Sequence, residues 1–361
     1  VFNAITKSAI LSAIESPREL DTDLVEAYLA RNSLDYLMGF NISPVLWQRL
    51  RGAAKSAGRV QSPALRLVVD REIEIEKFKS EEYWTISADF KDENDSIIQA
   101  NLSRIEDEKV ERFSFRDSKR TTITVDALEQ KEYQVTSVNS QKRNRNPYAP
   151  FTTSTLQQSA STNLKVSPRE VMSTAQKLYE AGLITYMRTD GIEMAPEGIT
   201  SARKQISSSL GKDFLPEKPR VFKNKAKNAQ EAHECIRPTD FSQTPEKSKS
   251  LNKAELELYT LIWRRALASQ SRAAEVLQTT VLISSLCNSA QFRMSGQVVI
   301  FEGHLKIFQD VKKENEERRI PDLKEKSMMK LEKINKEQHF TEPPPRFNEA
   351  SLIKRLEEAG I

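Results

Sequence analysis

A tyrosine, an arginine and an aspartate alternate with other residues in Gly182–Gly191, which reads GLITYMRTDG. In an extended chain successive side chains point to opposite faces, so Tyr186, Arg188 and Asp190 would share one face. A phenol can attack phosphorus, and a guanidinium can bind two phosphate oxygens at once. The segment therefore indicates a phosphoryl-transfer site, and the alternative is a buried tyrosine beside a surface arginine.

A helix is predicted to deliver this segment. Its start is marked by Ser167–Glu170, a capping box with proline at the first helical position, and Gly182 is the expected stop. Gln176 and Glu180 are four residues apart on this helix and therefore share a face. The pair stands just before the chain reaches Tyr186.

A second group of chemically useful residues occurs in Ala232–Pro238, where His233 and Arg237 are four residues apart. A lone histidine is more often structural than catalytic. The tyrosine and arginine of the earlier segment favour the catalytic interpretation of His233.

A third group lies before a helix that is predicted to begin at Ser62-Pro63 and to end near residue 78. Ser56, Arg59 and Gln61 precede this start. Free N–H groups at a helix start form an anion-binding corner when an arginine is close by. The alternative is a surface loop that only caps the helix.

Two further helices are predicted upstream, at residues 1–20 and 24–38, with a break at Asn41–Pro44. Arg31 and Asp35 are four residues apart on the second of them. Without further context this spacing indicates a solvated ion pair of small energetic value.

The hydrophobic period becomes strand-like from Glu82 onwards. A basic linker without periodicity is predicted over residues 140–147, and helices return from Thr153 to residue 269. A final helix is capped by Asn348. The predicted strands cover residues 82–90, 97–103, 121–126, 132–139, 276–284, 291–309 and 328–334.

The bulk properties are those of a soluble globular protein with 361 residues and a net charge of +4. Cys235 and Cys287 show no metal-binding spacing, and the three histidines are scattered, so a metal site made by this chain is not expected. No apolar run reaches membrane-spanning length. The chain begins with Val1 and ends inside a helical pattern, so both ends are expected to be cut.

Five blocks resemble, in order and spacing, the motifs of type IA DNA topoisomerases of the bacterial topoisomerase I kind. The resemblance covers essentially the whole chain. One Tyr-x-Arg would be a weak signal, whereas five collinear blocks are a strong one. The blocks are SAGRVQS at 56–62, FTTSTLQ at 151–157, LITYMRTD at 183–190, EAHECIRP at 231–238 and PPRFNEASL at 344–352.

The resemblance implies a mixed α and β multidomain core, a toroidal arch in which helical domains are joined by a discontinuous β-rich domain. It also implies a division of the chain. Residues 1–20 would be the last helix of the Toprim region, 21–79 and 346–361 part of a helical DNA-gripping domain, 80–146 and 271–345 the β-rich arch, and 147–270 the helical domain with the catalytic tyrosine.

The resemblance also implies a mechanism. Tyr186 would attack a backbone phosphate of single-stranded DNA and hold the 5′ end as a phosphotyrosyl ester. Arg188 would bind the scissile phosphate, and His233 would position that phosphate or assist proton transfer. The DNA-binding positions that the motifs imply are Arg31, Asp35, Ser56, Arg59, Gln61, Gln176, Glu180, Thr185, Thr189 and Asp190.

The chain departs from the family pattern in one important respect. The Toprim domain of such enzymes carries the acidic cluster for Mg²⁺ and the general acid, and no DxDxxGE-like cluster occurs in this sequence. Mg²⁺ is therefore expected on the missing domain, and this chain alone is expected to be inactive. Asn32, Tyr36 and Phe40 stand where relatives can have Arg, Arg and Tyr, and Gly191 stands where Ser is common.

The expected partners are single-stranded and negatively supercoiled DNA, and no membrane is expected. The protein is expected to be a monomer. Its expected location is the bacterial cytoplasm and nucleoid, or an organelle if it is a targeted eukaryotic copy. The residues in the five blocks favour topoisomerase I over topoisomerase III or reverse gyrase. One alternative is a non-catalytic module that binds single-stranded DNA. Another is a tyrosine recombinase or type IB enzyme, which the β-rich module and the block order disfavour.

Overall fold

The computed structural model describes residues 5, 7–17, 19–50, 56–93, 95–223, 234–248, 250–308 and 320–360. Helices and strands alternate in blocks along the chain. The helices are α1 Lys7–Glu15, α2 Thr22–Leu50, α3 Gln61–Lys77, α4 Ser118–Glu129, α5 Thr153–Asn163, α6 Pro168–Glu180, α7 Pro196–Ser209, α8 Lys253–Ser269 and α9 Glu349–Glu358. The strands are β1 Glu82–Lys91, β2 Ile97–Ile105, β3 Glu108–Lys109, β4 Tyr133–Arg145, β5 Ala274–Ser285, β6 Ala290–Phe301 and β7 Met328–Phe340.

The strands form one antiparallel sheet in the order β1-β7-β4-β5-β6-β2-β3. β1 also pairs with β2, so the sheet closes on itself and β3 extends it as a short hairpin. Closure leaves fewer free edges than an open sheet exposes, although β4 pairs with β7 at only two positions. The strands come from two separate stretches of the chain, and the mixed α and β class is confirmed.

Three aromatic rings fill the centre of this closed sheet. Phe90, Tyr133 and Phe292 pack edge to face, with ring centroids 5.2, 5.3 and 5.6 Å apart. The Tyr133 hydroxyl donates to the carbonyl of Leu128 at the end of α4, at 2.8 Å. That bond satisfies the buried phenol and joins α4 to the sheet.

The helices α5, α6 and α8 pack around a second apolar core, which contains Leu156, Leu178, Met187 and Ile262. Helix α7 packs on a third apolar cluster, through Ala202 and Ile206. The local start signals are confirmed here. Ser167 and Glu170 form the predicted capping box of α6, and equivalent boxes start α8 at Asn252 and α9 at Asn348.

Residues 121–126 were predicted as a strand, and this prediction is wrong because they lie in α4. Asp117 caps the helix by accepting a hydrogen bond from the Arg120 N–H at 2.8 Å. The buried residues Thr121, Val125 and Leu128 are spaced four and three residues apart, which is a helical period. The β-branched residues of this segment were misleading, since packing overrides propensity.

The prediction of a basic linker at 140–147 is also wrong, because β4 continues to Arg145 and pairs with β5 along its length. Ser140 is opposite Thr279, and Arg145 is opposite Ala274. Both faces of β4 are exposed here, so the polar residues show no alternation.

Two helix boundaries differ from the prediction. The expected break at Asn41–Pro44 does not occur, and α2 runs through Pro44. The helix is exposed around Phe40, so water can bond the carbonyl that Pro44 leaves without a donor. α3 begins at Gln61 rather than after Ser62, and its N-cap is Val60 without a side-chain bond.

Other predicted segments differ in extent. β6 ends at Phe301, and a 3-10 turn, Gly303–Lys306, takes its place where the strand was predicted to continue. Most of the charged segment 312–326 and the first residues of the predicted helix 1–20 lie outside the described residues. Within the described residues, no helix combines the length and the apolar character that crossing a membrane requires.

The junction between the sheet and the helices α5–α8 contains a buried histidine, His304. Burial, together with the positive charges of Arg145, Arg220 and Arg265, lowers the pKa of His304 to about 4. Its Nδ1 atom has no hydrogen-bond partner within the described residues. His304 is therefore held neutral at this junction.

The stability of the chain should depend on pH through His304. A histidine has a pKa of about 6.5 in an unfolded chain, against about 4 for His304 in the folded chain. This difference corresponds to about 3 kcal/mol in the free energy of unfolding, which is fully present above about pH 6.5. The contribution is lost as the pH falls from about 6.5 to about 4, because the unfolded chain then binds a proton that the folded chain does not. Urea unfolding at several pH values should show a flatter profile for His304→Gln in this window. Identical slopes for the two proteins would contradict the prediction.

Candidate active site

Helix α6 delivers the candidate tyrosine through a tight stop at Gly182. This residue has φ +72°, which favours glycine, and a Cβ there would lie 2.9 Å from the carbonyl oxygen of Ile5. The N–H groups of Gly182 and Leu183 donate to the carbonyls of Tyr179 and Leu178, at 2.8 and 2.9 Å. The chain therefore leaves α6 in one defined direction.

The predicted alternation along the next residues is confirmed by their burial. Thr185, Met187 and Thr189 are buried, whereas Tyr186 is half-buried and Arg188 is exposed. The segment is bent rather than a regular strand, and an isolated bridge joins Ile184 to Pro238. One face thus anchors the segment, and the other presents the phenol and the guanidinium.

Cys235 and Arg237 hold the first half of the segment. The Thr185 N–H donates to the carbonyl of Arg237, and the Arg237 N–H donates to Thr185 Oγ1, both at 2.9 Å. Thr185 Oγ1 itself donates to the carbonyl of Cys235 at 2.7 Å. These bonds fix the backbone on the N-terminal side of Tyr186.

The start of α5 holds the second half. Thr153 Oγ1 donates to the carbonyl of Met187 and accepts from the Thr189 N–H, both at 2.8 Å. The Thr153 N–H donates to the Thr189 carbonyl at 2.9 Å. The hydroxyl of Thr189 accepts from the N–H of Gly191 at 2.9 Å. The hydroxyls of Thr185 and Thr189 thus bond within the protein. Arg188 lies between the carbonyls of Met187 and Thr189, which are both held by Thr153.

Tyr186 and Arg188 themselves remain available. Within the described part of the chain, neither the phenol hydroxyl nor the guanidinium makes a hydrogen bond or an ion pair. The Tyr186 ring packs edge to face on Tyr179, with centroids 5.3 Å apart. On the same helix Gln176 Nε2 donates to Glu180 Oε1 at 2.7 Å, so the predicted pair is in contact. A phenol and a guanidinium are therefore presented side by side on a fixed backbone.

A buried ion pair lies beside the segment that carries Tyr186. The Arg237 side chain is 4% exposed and pairs with Glu234, whose side chain is 10% exposed. The Arg237 guanidinium also donates to the Pro238 carbonyl at 2.9 Å. Glu234 Oε1 accepts the N–H of Ala195, the N-cap of α7, at 2.9 Å. The pair therefore connects α7 to the segment that carries Tyr186.

Gly198 on α7 leaves room for this guanidinium. A Cβ at Gly198 would lie 2.6 Å from Arg237 Nε, and the buried bonds prevent the arginine from moving away. We expect Gly198→Ala to destabilise the fold by about 1–3 kcal/mol, because the inserted methyl overpacks the site. Denaturant unfolding measures the change.

Gly39 on α2 is the matched control, since it is also helical and has nothing within 4 Å of its would-be Cβ. Gly39→Ala should leave stability unchanged or raise it by up to about 1 kcal/mol. Equal losses in both variants would show that the Arg237 packing does not matter.

The upstream candidates form a separate cluster between α2 and α3. Arg59 Nε donates to Asp35 Oδ1 at 3.1 Å, and Ser56 Oγ donates to Gln61 Oε1 at 3.2 Å. Asp35 thus pairs with an arginine that is 24 residues away. The guanidinium of Arg31 lies 5.9 Å from the centre of the Tyr28 ring.

His233 lies outside the described residues, so its position relative to Tyr186 stays a prediction. Asp190 is exposed. Among the residues that the structure describes, no three His, Cys, Asp or Glu side chains come together as a metal site.

Comparison with known proteins bears on this geometry. A family model described as DNA topoisomerase matches residues 19–361. The chain therefore belongs to the DNA topoisomerase family. The resemblance to type IA enzymes that the five blocks carry is confirmed.

Curated members of this family are similar over the whole chain. DNA topoisomerase 1 of Rickettsia felis is 45% identical, and that of Zymomonas mobilis is 47% identical, each over 100% of this chain. The chain covers 48% and 30% of those two topoisomerases, so it spans about half of their length or less.

A solved topoisomerase structure supports the fold. The structure of full-length topoisomerase I from Thermotoga maritima superposes with a TM-score of 0.83 at 33% identity. The match covers 100% of this chain and 58% of the topoisomerase I chain.

Sequence reasoning left three supporting residues out of the predicted site. Thr153, Glu234 and Arg237 make the bonds that fix the Tyr186 segment. All three lie inside blocks that carry the topoisomerase resemblance. Their position inside those blocks could have indicated a role in the site. Their spacing in the sequence does not indicate which groups they form hydrogen bonds with.

Proposed function

We propose that this chain is the tyrosine-bearing part of a type IA DNA topoisomerase that cleaves and religates single-stranded DNA. The observation that carries the proposal is the fixed segment, in which Tyr186 and Arg188 make no side-chain hydrogen bond or ion pair among the described residues. A nucleophile that is free but rigidly held suits attack on a backbone phosphate.

The cleavage step follows from the two side chains. Tyr186 Oη attacks the phosphorus of a phosphodiester, a new P–O bond to the phenol forms, and the bond to the 3′ oxygen breaks. The phenol gives its proton to water, and the leaving 3′ oxygen gains one from a general acid. Arg188 binds the phosphate oxygens and stabilises the charge that develops on them. Because the ester conserves the phosphodiester bond energy, the reverse attack religates the strand without ATP.

The full reaction requires more than this chain. The resemblance implies that the general acid and the Mg²⁺ ligands belong to a Toprim domain, and the sequence contains no such acidic cluster. When bound there, Mg²⁺ would offset phosphate charge. We propose that His233 assists at the same phosphate.

Side chains on α2 support a binding site for single-stranded DNA. Tyr36 and Phe40 stack with ring centroids 4.3 Å apart and are 63% and 66% exposed. Nucleic acid bases stack on exposed aromatic rings. The nearby Arg59 and Arg31 offer positive charge, and the polar Ser56 and Gln61 lie at the start of α3. These residues form the proposed path of the strand.

The predicted division into domains implies a moving gate, with hinges near Asn144–Pro147 and Ser269–Ala273. Arg220 bonds to both segments, since its Nη1 donates to Asn146 Oδ1 at 3.4 Å and its Nε donates to the Ser271 carbonyl at 2.8 Å. The two connections therefore run side by side, as a common hinge requires. Solution scattering that shows one rigid shape with and without DNA would contradict the hinge proposal.

Opening of this gate would separate α5 from α9. Ser154 Oγ donates to Glu357 Oε2 at 2.6 Å between these two helices, one residue after Thr153. The bond is exposed, so it stabilises the closed arrangement only weakly, and we propose that it breaks when the gate opens.

The proposed activity is tested by relaxation of negatively supercoiled plasmid. We expect the full-length protein to act in the bacterial cytoplasm and, in vitro, to relax the plasmid when Mg²⁺ is present. This chain alone should show no relaxation. Vigorous relaxation by this chain alone would contradict the proposed need for the Toprim domain.

The second candidate function is binding of single-stranded DNA without catalysis, which the stacked Tyr36 and Phe40 favour for the chain in isolation. Adding the Toprim domain in trans separates the two functions. A covalent adduct on Tyr186 supports the enzyme, and tight binding without an adduct supports the binding module.

A further inference from the structure

The outer face of β4, β5 and β6 forms an open groove that neither α2 nor the Tyr186 segment contributes to. The groove encloses about 270 Å³. Two of its lining residues are arginines, and none carries a carboxylate. Its lining consists of Ser137, Asn139, Gln141, Arg143, Gln278, Thr280, Leu282 and Arg293.

The long polar side chains of this groove have no partners inside the protein. Within the described ranges, the side chains of Asn139, Gln141, Arg143, Gln278 and Arg293 make no hydrogen bond or ion pair. Exposed strands usually carry mixed charges that pair with one another, as Lys330 and Glu332 do on β7. A row of amides and guanidinium groups without carboxylates is complementary to an anionic ligand with many acceptors.

The spacing of the two arginines indicates an extended ligand. Arg143 is opposite Val276 and Arg293 is opposite Leu282, so the two are six residues apart along β5 and on opposite sides of it. With about 3.3 Å per residue and about 4.8 Å between strands, their backbone positions are about 22 Å apart. A small anion could reach only one of them, whereas a nucleic acid backbone can reach both.

We propose that this groove binds the backbone of duplex DNA without reading its sequence. Single-stranded DNA is bound through aromatic rings on which the bases stack, and no aromatic residue is among the described residues that line the groove. Duplex DNA is positioned through phosphate contacts from arginine, amide and hydroxyl groups, which is the composition of this lining. The site goes beyond the proposed tyrosine chemistry, because it needs neither Tyr186 nor Mg²⁺.

Fluorescence anisotropy on this chain with a labelled duplex of about 20 base pairs tests the proposal. The variant with Arg143→Gln and Arg293→Gln should bind the duplex roughly tenfold more weakly or worse at about 0.1 M salt. The slope of log K against log salt should fall by about 2, because each phosphate contact contributes about 0.9. Binding of a single strand of the same length should not change.

The matched control carries Lys142→Gln and Lys119→Gln. It removes the same charge, but Lys142 points to the opposite face of β4 and Lys119 lies on α4. Thermal unfolding checks that both variants fold like the parent. Equal weakening by the control, an unchanged salt slope, a loss limited to single strands or no duplex binding by the parent would each overturn the proposal. Because the readout is equilibrium binding, its failure is distinguishable from failure of the cleavage mechanism.

Discussion

Replacing Tyr186 by Phe in the full-length protein is expected to abolish the covalent protein–DNA adduct and to lower relaxation by at least about 10⁴-fold. The reason is chemical, because phenylalanine offers no oxygen to phosphorus. The fold should be retained, since the Tyr186 hydroxyl makes no hydrogen bond within the described residues and the ring contact with Tyr179 remains. Denaturing gels of DNA adducts and plasmid relaxation measure the two effects.

Tyr179→Phe is the control for this prediction. Its ring lies 5.3 Å from that of Tyr186, but it belongs to α6 and is not part of the fixed segment. We expect Tyr179→Phe to retain the adduct. If Tyr179→Phe eliminates the adduct while Tyr186→Phe keeps it, the assignment of the nucleophile is wrong.

Replacing Arg237 by Met should lower the free energy of unfolding by about 3–5 kcal/mol, because Glu234 is left buried without its partner. The effect should also reach the site. The backbone N–H and C=O of Arg237 hold Thr185, and the N-cap of α7 depends on Glu234. Urea unfolding measures the stability loss, and adduct yield at a permissive temperature measures the loss of positioning.

Arg66→Met is the matched control, because Arg66 pairs with Asp70 on the exposed face of α3 with 75% of its side chain accessible. That variant should change stability far less. A double variant with Glu234→Met and Arg237→Met should recover part of the loss, since it leaves no uncompensated charge. A double variant less stable than Arg237→Met would contradict the ion-pair explanation.

Local sequence signals predicted the elements that position the tyrosine. The capping box at Ser167–Glu170, the stop at Gly182 and the alternation of Thr185, Tyr186 and Met187 each depend on neighbours within a few residues. Their physics is contained in a short window, so one sequence suffices to predict them. The same holds for the end of α8, since the helices were predicted to run to residue 269 and α8 ends at Ser269.

Contacts between distant residues could not be predicted in this way. The bonds between Thr185 and Arg237 span 52 residues, and Asp35 pairs with Arg59 rather than with Arg31, its neighbour on α2. Closure of the sheet also requires β1 to pair with β7 and β2 to pair with β6, strands that are far apart in the sequence. Single-sequence periodicity carries no information on such pairings, and it also misassigned α4, where tertiary packing overrides β-branched composition.

The most direct test of the proposed mechanism is to find which DNA end becomes attached to Tyr186. The full-length protein is incubated with single-stranded DNA labelled at either end, denatured, and digested for mass spectrometry of the linked peptide. We expect the 3′-labelled fragment to stay on the protein through a 5′ phosphate on Tyr186, and the 5′-labelled fragment to be released. Retention of the 5′ label, or attachment to any other residue, would contradict the mechanism.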